Sequence, residues 1–118
     1  EVFRKFLSRT KIPPALMALE VHPLNTNAEM CELCDTMGIQ VLAYAPLGSP
    51  GKVESFMSVL TKSDAREMRP LLKVPDLLLL QQLGERHGKS PAQVALRWHL
   101  QRKHCILPKS WNPTHIME

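Results

Sequence analysis

Three short stretches carry side chains that could do chemistry. Glu20-Val21-His22-Pro23 places a carboxylate two residues from an imidazole, a minimal general base with a group to orient it. The same residues also suit an oriented structural pair, because buried charges are normally paired or hydrogen-bonded. Tyr44-Ala45-Pro46-Leu47-Gly48-Ser49 offers a flat aromatic ring and a Gly-Ser turn, whose N–H groups could face an anion. Pro108-Lys109-Ser110 sets a cation and a hydroxyl just ahead of Asn112-Pro113, a helix start, and this combination suits a phosphate. Cys31 and Cys34 form a C-x-x-C, but no second pair follows at metal-ligand spacing, and His104-Cys105 lies far along the chain. On a helix, residues i and i+3 share a face, so buried structural thiols are favoured over a metal or redox pair. Gly48-Ser49-Pro50-Gly51-Lys52 is too short for a P-loop, and no G-x-G-x-x-G occurs, so a Rossmann dinucleotide site is not supported.

The elements around these stretches alternate. Val2, Phe3, Phe6 and Leu7 recur at helical spacing, which predicts a helix over 2–8 that breaks at Pro13-Pro14. Residues 15–21 form a short, mostly apolar run ending at His22-Pro23, as in a buried strand. Asn25-Thr26-Asn27 is N-cap chemistry for a helix with Met30, Leu33, Cys34 and Met37 on one side, and Gly38 closes it from the C′ position. Residues 39–44 give the clearest strand. Pro46, Gly48, Pro50 and Gly51 then force a loop. The polar stretch 52–74 is the least legible. A helix is expected over 76–87, with Leu77, Leu80, Leu83 and Gly84 along one face and Gly88 at its end. Ser90-Pro91-Ala92-Gln93 reads as a capping box with Pro at N1, opening a helix to about Arg102. A short strand over 104–107 stops at Pro108, and Asn112-Pro113 begins another helix. Strands separated by helices imply parallel pairing through right-handed crossovers. Three such strands leave faces and edges open, so the pattern reads as part of a larger parallel sheet or barrel, with ligands expected at the carboxyl ends of the strands.

The 118 residues suffice for one domain and no more. Hydrophobic residues at 44% and charged residues at 22% argue for a globular chain rather than a disordered one. The longest apolar runs, 15–19 and 41–45, are far short of the roughly 20 residues that cross a bilayer, so no membrane partner is expected. The net charge of +4 is mild and its basic residues are scattered, which argues against a nucleic-acid partner. Three Cys without a secretory signature point to a reducing compartment, here taken as cytoplasmic. Residues 1–7 carry no targeting segment and no opening Met, so the chain is expected to be an internal piece of a longer protein.

Four stretches taken together resemble a known family: Glu20 to Pro23; Gly38-Ile39 leading into Ala43 to Pro50; Gly88-Lys89-Ser90-Pro91-Ala92-Gln93-Val94-Ala95-Leu96-Arg97-Trp98; and Leu107-Pro108-Lys109-Ser110. Their order and approximate spacing look like the carboxyl-terminal part of an aldo-keto reductase over nearly the whole chain. The resemblance implies an α/β fold, a partial (β/α)₈ TIM barrel in which residues 1–118 supply strands six to eight with their helices. Such barrels need about 250 residues.

It also implies an NADP(H)-dependent oxidoreductase that reduces aldehydes or ketones, with NADPH as cofactor and NADH as the alternative. By resemblance, Tyr44 stacks on the nicotinamide, and Leu47 and Ser49 lie in the loop over the pyrophosphate. Lys109 and Ser110 hold the 2′-phosphate, with Trp111 and Asn112 beside them. His115 stands where the family carries a phosphate-clamping arginine, and Glu118 matches an acidic residue near the adenine amine. Other positions depart from the family. Met17-Ala18 replaces an Asn-Gln whose Gln holds the carboxamide, Ala45 replaces a Ser, and Trp111 replaces a smaller residue.

The family's catalytic Asp, Tyr, Lys and His belong to earlier strands. Tyr44 is the single Tyr of this sequence and matches the stacker, so no catalytic residue is assigned. The expected partner is a small-molecule carbonyl substrate, and the full-length protein is expected to be a monomer. A non-catalytic cofactor-binding or regulatory module derived from the family is the alternative, followed by an unrelated α/β module.

Overall fold

The computed structural model describes residues 2–48 and 74–118. It opens with helix α1 (Val2–Arg9), strand β1 (Leu16–Glu20), helix α2 (Ala28–Thr36) and strand β2 (Gln40–Tyr44). A 3₁₀ turn (Val74–Asp76) leads into helix α3 (Leu78–His87), helix α4 (Pro91–Gln101), strand β3 (Cys105–Leu107) and helix α5 (Pro113–Met117). The three strands are parallel and lie in chain order, β1-β2-β3. A chain-order sheet with a helical crossover after each strand has the winding of a barrel segment. A doubly wound sheet would reverse its order at a switch point.

The two sheet faces differ. Met17, Leu19, Val41, Ala43 and Ile106 face the helices. Val41 and Ala43 are buried there with Val21, Cys34 and Ile39, under Phe3 and Leu7 of α1, Met30 and Cys31 of α2 and Trp98 of α4. The opposite face carries Leu16, Ala18, Tyr44, Cys105 and Leu107, all exposed. In a closed barrel this second face is the lumen side. A second apolar cluster of Val74, Leu80 and Ala95, with Leu47, Leu77 and Val94 against it, joins the loop after β2 to α3 and α4.

Local signals explain most element boundaries. The capping box is complete: Ser90 Oγ accepts from the Gln93 N–H at 3.2 Å, and Gln93 Oε1 accepts from the Ser90 N–H at 2.9 Å. Gly38, at φ 68, follows the Met37 C-cap of α2, with Gly38 N–H donating to Asp35 O and Ile39 N–H to Cys34 O. This is the Schellman ending that glycine favours.

Two expectations need correction. Asn27 caps α2 in a left-handed conformation without a side-chain bond. The side-chain amides of Asn25 and Asn27 instead both donate to the Glu20 carbonyl, at 3.3 Å each. The helix expected from residue 76 starts at Leu78, because Val74–Asp76 closes as a 3₁₀ turn. The poorly legible stretch 52–74 lies outside the described residues except for Val74, which is fully buried.

Candidate functional site

Parallel register levels the carboxyl ends of the strands. Glu20 pairs with Tyr44 and Tyr44 with Leu107, so the segments that follow all leave from one end of the sheet. Tyr44 stands on the uncovered face with 43% of its surface open. The chain then turns sharply. Ala45 takes a left-handed φ of 48°, and the Gly48 N–H donates to Ala45 O at 2.8 Å. Left-handed backbone costs a residue with a Cβ about 1–2 kcal/mol, so the turn needs outside support. Two contacts supply it. Leu47 packs against the second apolar cluster, and the buried Pro46 carbonyl lies 3.3 Å from Nε2 of His99 on α4. Gly48 has a φ of 76°, and a Cβ there would press on Val74 Cγ2 at 3.1 Å. Ser49, expected in this loop, lies outside the described residues.

The segment after β3 gathers the remaining candidates. Lys109 Nζ sits 4.6 Å from the centre of the Trp111 ring, a cation–π contact, and Trp111 is otherwise open to solvent at 86% exposure. Ser110 Oγ accepts from the Asn112 N–H at 3.0 Å. Asn112 Oδ1 accepts from the Thr114 N–H at 3.0 Å and caps α5. The Asn112 amide nitrogen meets His115 Nε2 at 3.5 Å. An amide NH₂ only donates, so Nε2 of His115 is the acceptor. Lys109, Ser110, Trp111, Asn112 and His115 thus form one local cluster. The helix start expected to aid a phosphate is a five-residue turn, and the Thr114 N–H is already taken by Asn112.

Glu118 lies apart from that cluster. Its Oε2 accepts from Ser90 Oγ at 2.8 Å, and its main-chain oxygen accepts from Gln93 Nε2 at 2.6 Å. The capping box of α4 therefore also holds Glu118. Nothing in the spacing of residues 90 and 118 signals this link.

The remaining chemical candidates read as structural. His22 Nε2 is 3.4 Å from Glu20 Oε1, and Asn25 exchanges main-chain hydrogen bonds with His22 across a tight turn. His22 Nδ1 is buried with no partner among the described residues. Burial pushes the thiols of Cys31 and Cys34 up from their ordinary values, which favours the thiol over the nucleophilic thiolate. Among the described residues, no group of three potential ligands is placed to hold a metal.

His99 is the residue that sequence reasoning missed. It is fully buried, its Nδ1 lies 3.4 Å from His104 Nδ1, and Trp98 meets both rings edge-on. A hydrogen bond spanning 53 residues leaves no local signature.

The aldo/keto reductase family model matches residues 1–118. The chain belongs to the aldo/keto reductase family. It is 38% identical over 116 residues to mouse aldo-keto reductase family 1 member A1, covering 95% of this chain and 31% of that protein. It is 40% identical over 108 residues to aldo-keto reductase family 4 member C11 of Arabidopsis thaliana, covering 92% of this chain and 30% of that protein. Among solved structures, the aldose reductase of Schistosoma japonicum superposes with a TM-score of 0.71 at 29% identity, over 96% of this chain and 30% of that one. The chain therefore spans about a third of the length of these relatives, and the three-stranded sheet is a partial TIM barrel.

Proposed function

We propose that residues 1–118 are the carboxyl-terminal part of a single barrel domain of an NADP(H)-dependent oxidoreductase, and that they supply its cofactor-holding loops. The parent reduces small aldehydes or ketones to alcohols. The observation that carries this reading is the common end of the sheet. An open tyrosine ring at the end of β2 and an ammonium–hydroxyl–imidazole cluster after β3 sit at paired strand ends.

That donor set fits the proposed ligand. Lys109 offers a charge and Ser110 a hydroxyl to a dianionic phosphate, with His115 as a third polar group. When bound, the nicotinamide supplies the hydride. Tyr44 would hold the nicotinamide by offering an aromatic face to stack on, and so would set the plane of the ring. Leu47 anchors the turn above it, and Asn112 and Ser110 brace the phosphate segment. Ala18 stands where the family places an amide, so one hydrogen bond of about 0.5–1.5 kcal/mol is missing on the carboxamide side. The acid that protonates the alkoxide comes from strands outside this chain. A monomer in a reducing, cytoplasmic compartment suits the three free thiols. No helix among the described residues is long and apolar enough to cross a membrane.

The test is NADPH oxidation that requires added aldehyde, measured on the full-length protein and its Tyr44→Ala variant. Turnover in the first and a clear loss in the second are expected. Full activity without the Tyr44 ring would count against the reading.

A further inference from the structure

We propose that His99 is a positioning residue for the cofactor loop: its Nε2–H holds the Pro46 carbonyl, and His104 fixes the tautomer that makes this bond. The inference rests on the reading of Tyr44 as the nicotinamide platform, because Pro46 is two residues beyond it.

The turn 45–48 opens on a residue in a strained conformation. Ala45 is left-handed and closed only locally by the Gly48 N–H. Pro46 has no N–H, so its carbonyl is the one main-chain polar group by which it can be gripped, and that carbonyl reaches His99 at 3.3 Å. His99 lies one helical turn beyond Ala95, which is buried in the cluster that also receives Leu47. Leu47 thus meets the cluster that α4 joins through Ala95, while the Pro46 carbonyl meets α4 directly through His99.

His104 is brought to His99 by the end of α4. The helix closes with Arg102 as C-cap and Lys103 left-handed at φ 58. Lys103 N–H donates to Leu100 O and His104 N–H to His99 O. In such Schellman endings the residue at C″ usually makes an apolar contact with C3. Here the two positions are His104 and His99, and their Nδ1 atoms face each other at 3.4 Å.

The proton count follows. The Pro46 carbonyl only accepts, so His99 Nε2 donates. A neutral imidazole carries one N–H, so His99 Nδ1 is bare and accepts from His104 Nδ1–H. A second proton on the His99 ring would set two N–H groups against each other unless His104 gave up its Nδ1–H tautomer. The surroundings disfavour that proton. Burial pushes both imidazoles below their ordinary values. At His99 the hydrogen bond to Pro46 opposes this but is outweighed, with His104, His22 and Arg102 adding to the lowering; at His104 Arg102 adds to it and Asp35 opposes it.

The experiment uses the full-length protein that contains residues 1–118, without and with NADPH. Ring nitrogens of ¹⁵N-histidine protein read the tautomers without cofactor: Nε2–H at His99 and Nδ1–H at His104 are expected. NADPH affinity is then measured for His99→Met, which fills the site without a donor, and for His99→Gln, whose amide can still donate to Pro46 O. The Met variant is expected to bind roughly tenfold more weakly, the scale of one lost buried hydrogen bond, and the Gln variant within about threefold of wild type.

On a Tyr44→Ala background the His99→Met loss should largely disappear, because its route through the ring is gone. Full additivity of the two losses, or an Nδ1–H tautomer at His99, overturns the positioning role. A Tyr44→Ala variant that binds NADPH normally overturns the platform reading instead, and the inference with it. If His99→Met does not fold, the wild-type tautomers and the His99→Gln binding decide the matter.

Discussion

Lys109 holds its ammonium against the Trp111 ring, with no carboxylate partner among the described residues, which leaves its charge available to an incoming anion. A weak cation–π contact, worth about 0.5–1 kcal/mol at exposed sites, orients the side chain without neutralising it. His115 is the less committed member of the cluster, joined to Asn112 at 3.5 Å. Replacing it by arginine adds a planar, always-charged fork. His115→Arg is expected to strengthen NADPH binding by roughly 1–3 kcal/mol and to leave NADH nearly unchanged, as read by fluorescence titration of both cofactors. Equal gains for the two would show that residue 115 does not face the 2′-phosphate.

The buried histidines set a pH dependence with a definite sign. The fold favours the neutral ring of both, holding their values below the ordinary one, mainly by burial. The unfolded chain therefore binds protons that the folded chain refuses. Their stability contribution is complete above about pH 6.5 and is lost as pH falls from there through the folded values. Thermal unfolding of the full-length protein should show a Tm that drops below pH 6.5, and a smaller drop in His99→Gln. That Tyr44 ends a strand and that Lys109 and Ser110 precede a helix start was legible in the sequence, because both placements follow from local strand and cap patterns. The His99–Pro46 contact was not legible, because it depends on how α4 packs across the turn after β2.

At the scale of elements, the α4 start is doubly employed. Ser90 caps the helix and also donates to Glu118. Ser90→Ala should lower stability by about 1 kcal/mol from the cap alone, within the usual range of 0.5–2, and should release Glu118. Urea unfolding gives the first quantity. Gly84 marks another close approach, since a Cβ there would run into the Lys89 carbonyl. Gly84→Ala is expected to destabilise by about 1–3 kcal/mol, as overpacking does, despite alanine's better helix propensity. An unchanged or raised Tm would contradict the packing of α3 on the turn before α4.

Sequence patterns predicted elements best where the signal was local. Ser-Pro-x-Gln at residues 90–93 and Gly38 after α2 each specify a boundary within four residues. They failed where a side chain found a tertiary partner. The amides of Asn25 and Asn27 leave the α2 terminus for the Glu20 carbonyl, so cap chemistry was present but used elsewhere.

At the scale of the whole molecule, the sheet is finished on one side only. Leu16, Tyr44 and Leu107 stand open at 43–54% exposure on its second face, and β1 and β3 are its two edges. The order of strands and helices foretold a parallel sheet with open faces and edges, and a barrel closes only with further strands beyond these three. Expressed alone, residues 1–118 are expected to bind the dye ANS and to unfold without a sharp transition. They should also reduce no carbonyl above background. A cooperative calorimetric peak from the isolated monomer would contradict this.

The proposed function has the loops at the carboxyl ends of these strands hold a phosphorylated nicotinamide cofactor. Its most direct test is the dissociation constant of NADPH and of NADH for the full-length protein, before and after Lys109→Met. Loss of one charge-assisted contact of about 1.5–3 kcal/mol should weaken NADPH binding roughly tenfold to a hundredfold, while NADH affinity stays within about twofold. If both cofactors weaken equally, or neither does, Lys109 does not hold the 2′-phosphate and the assignment of this strand end to the cofactor is wrong.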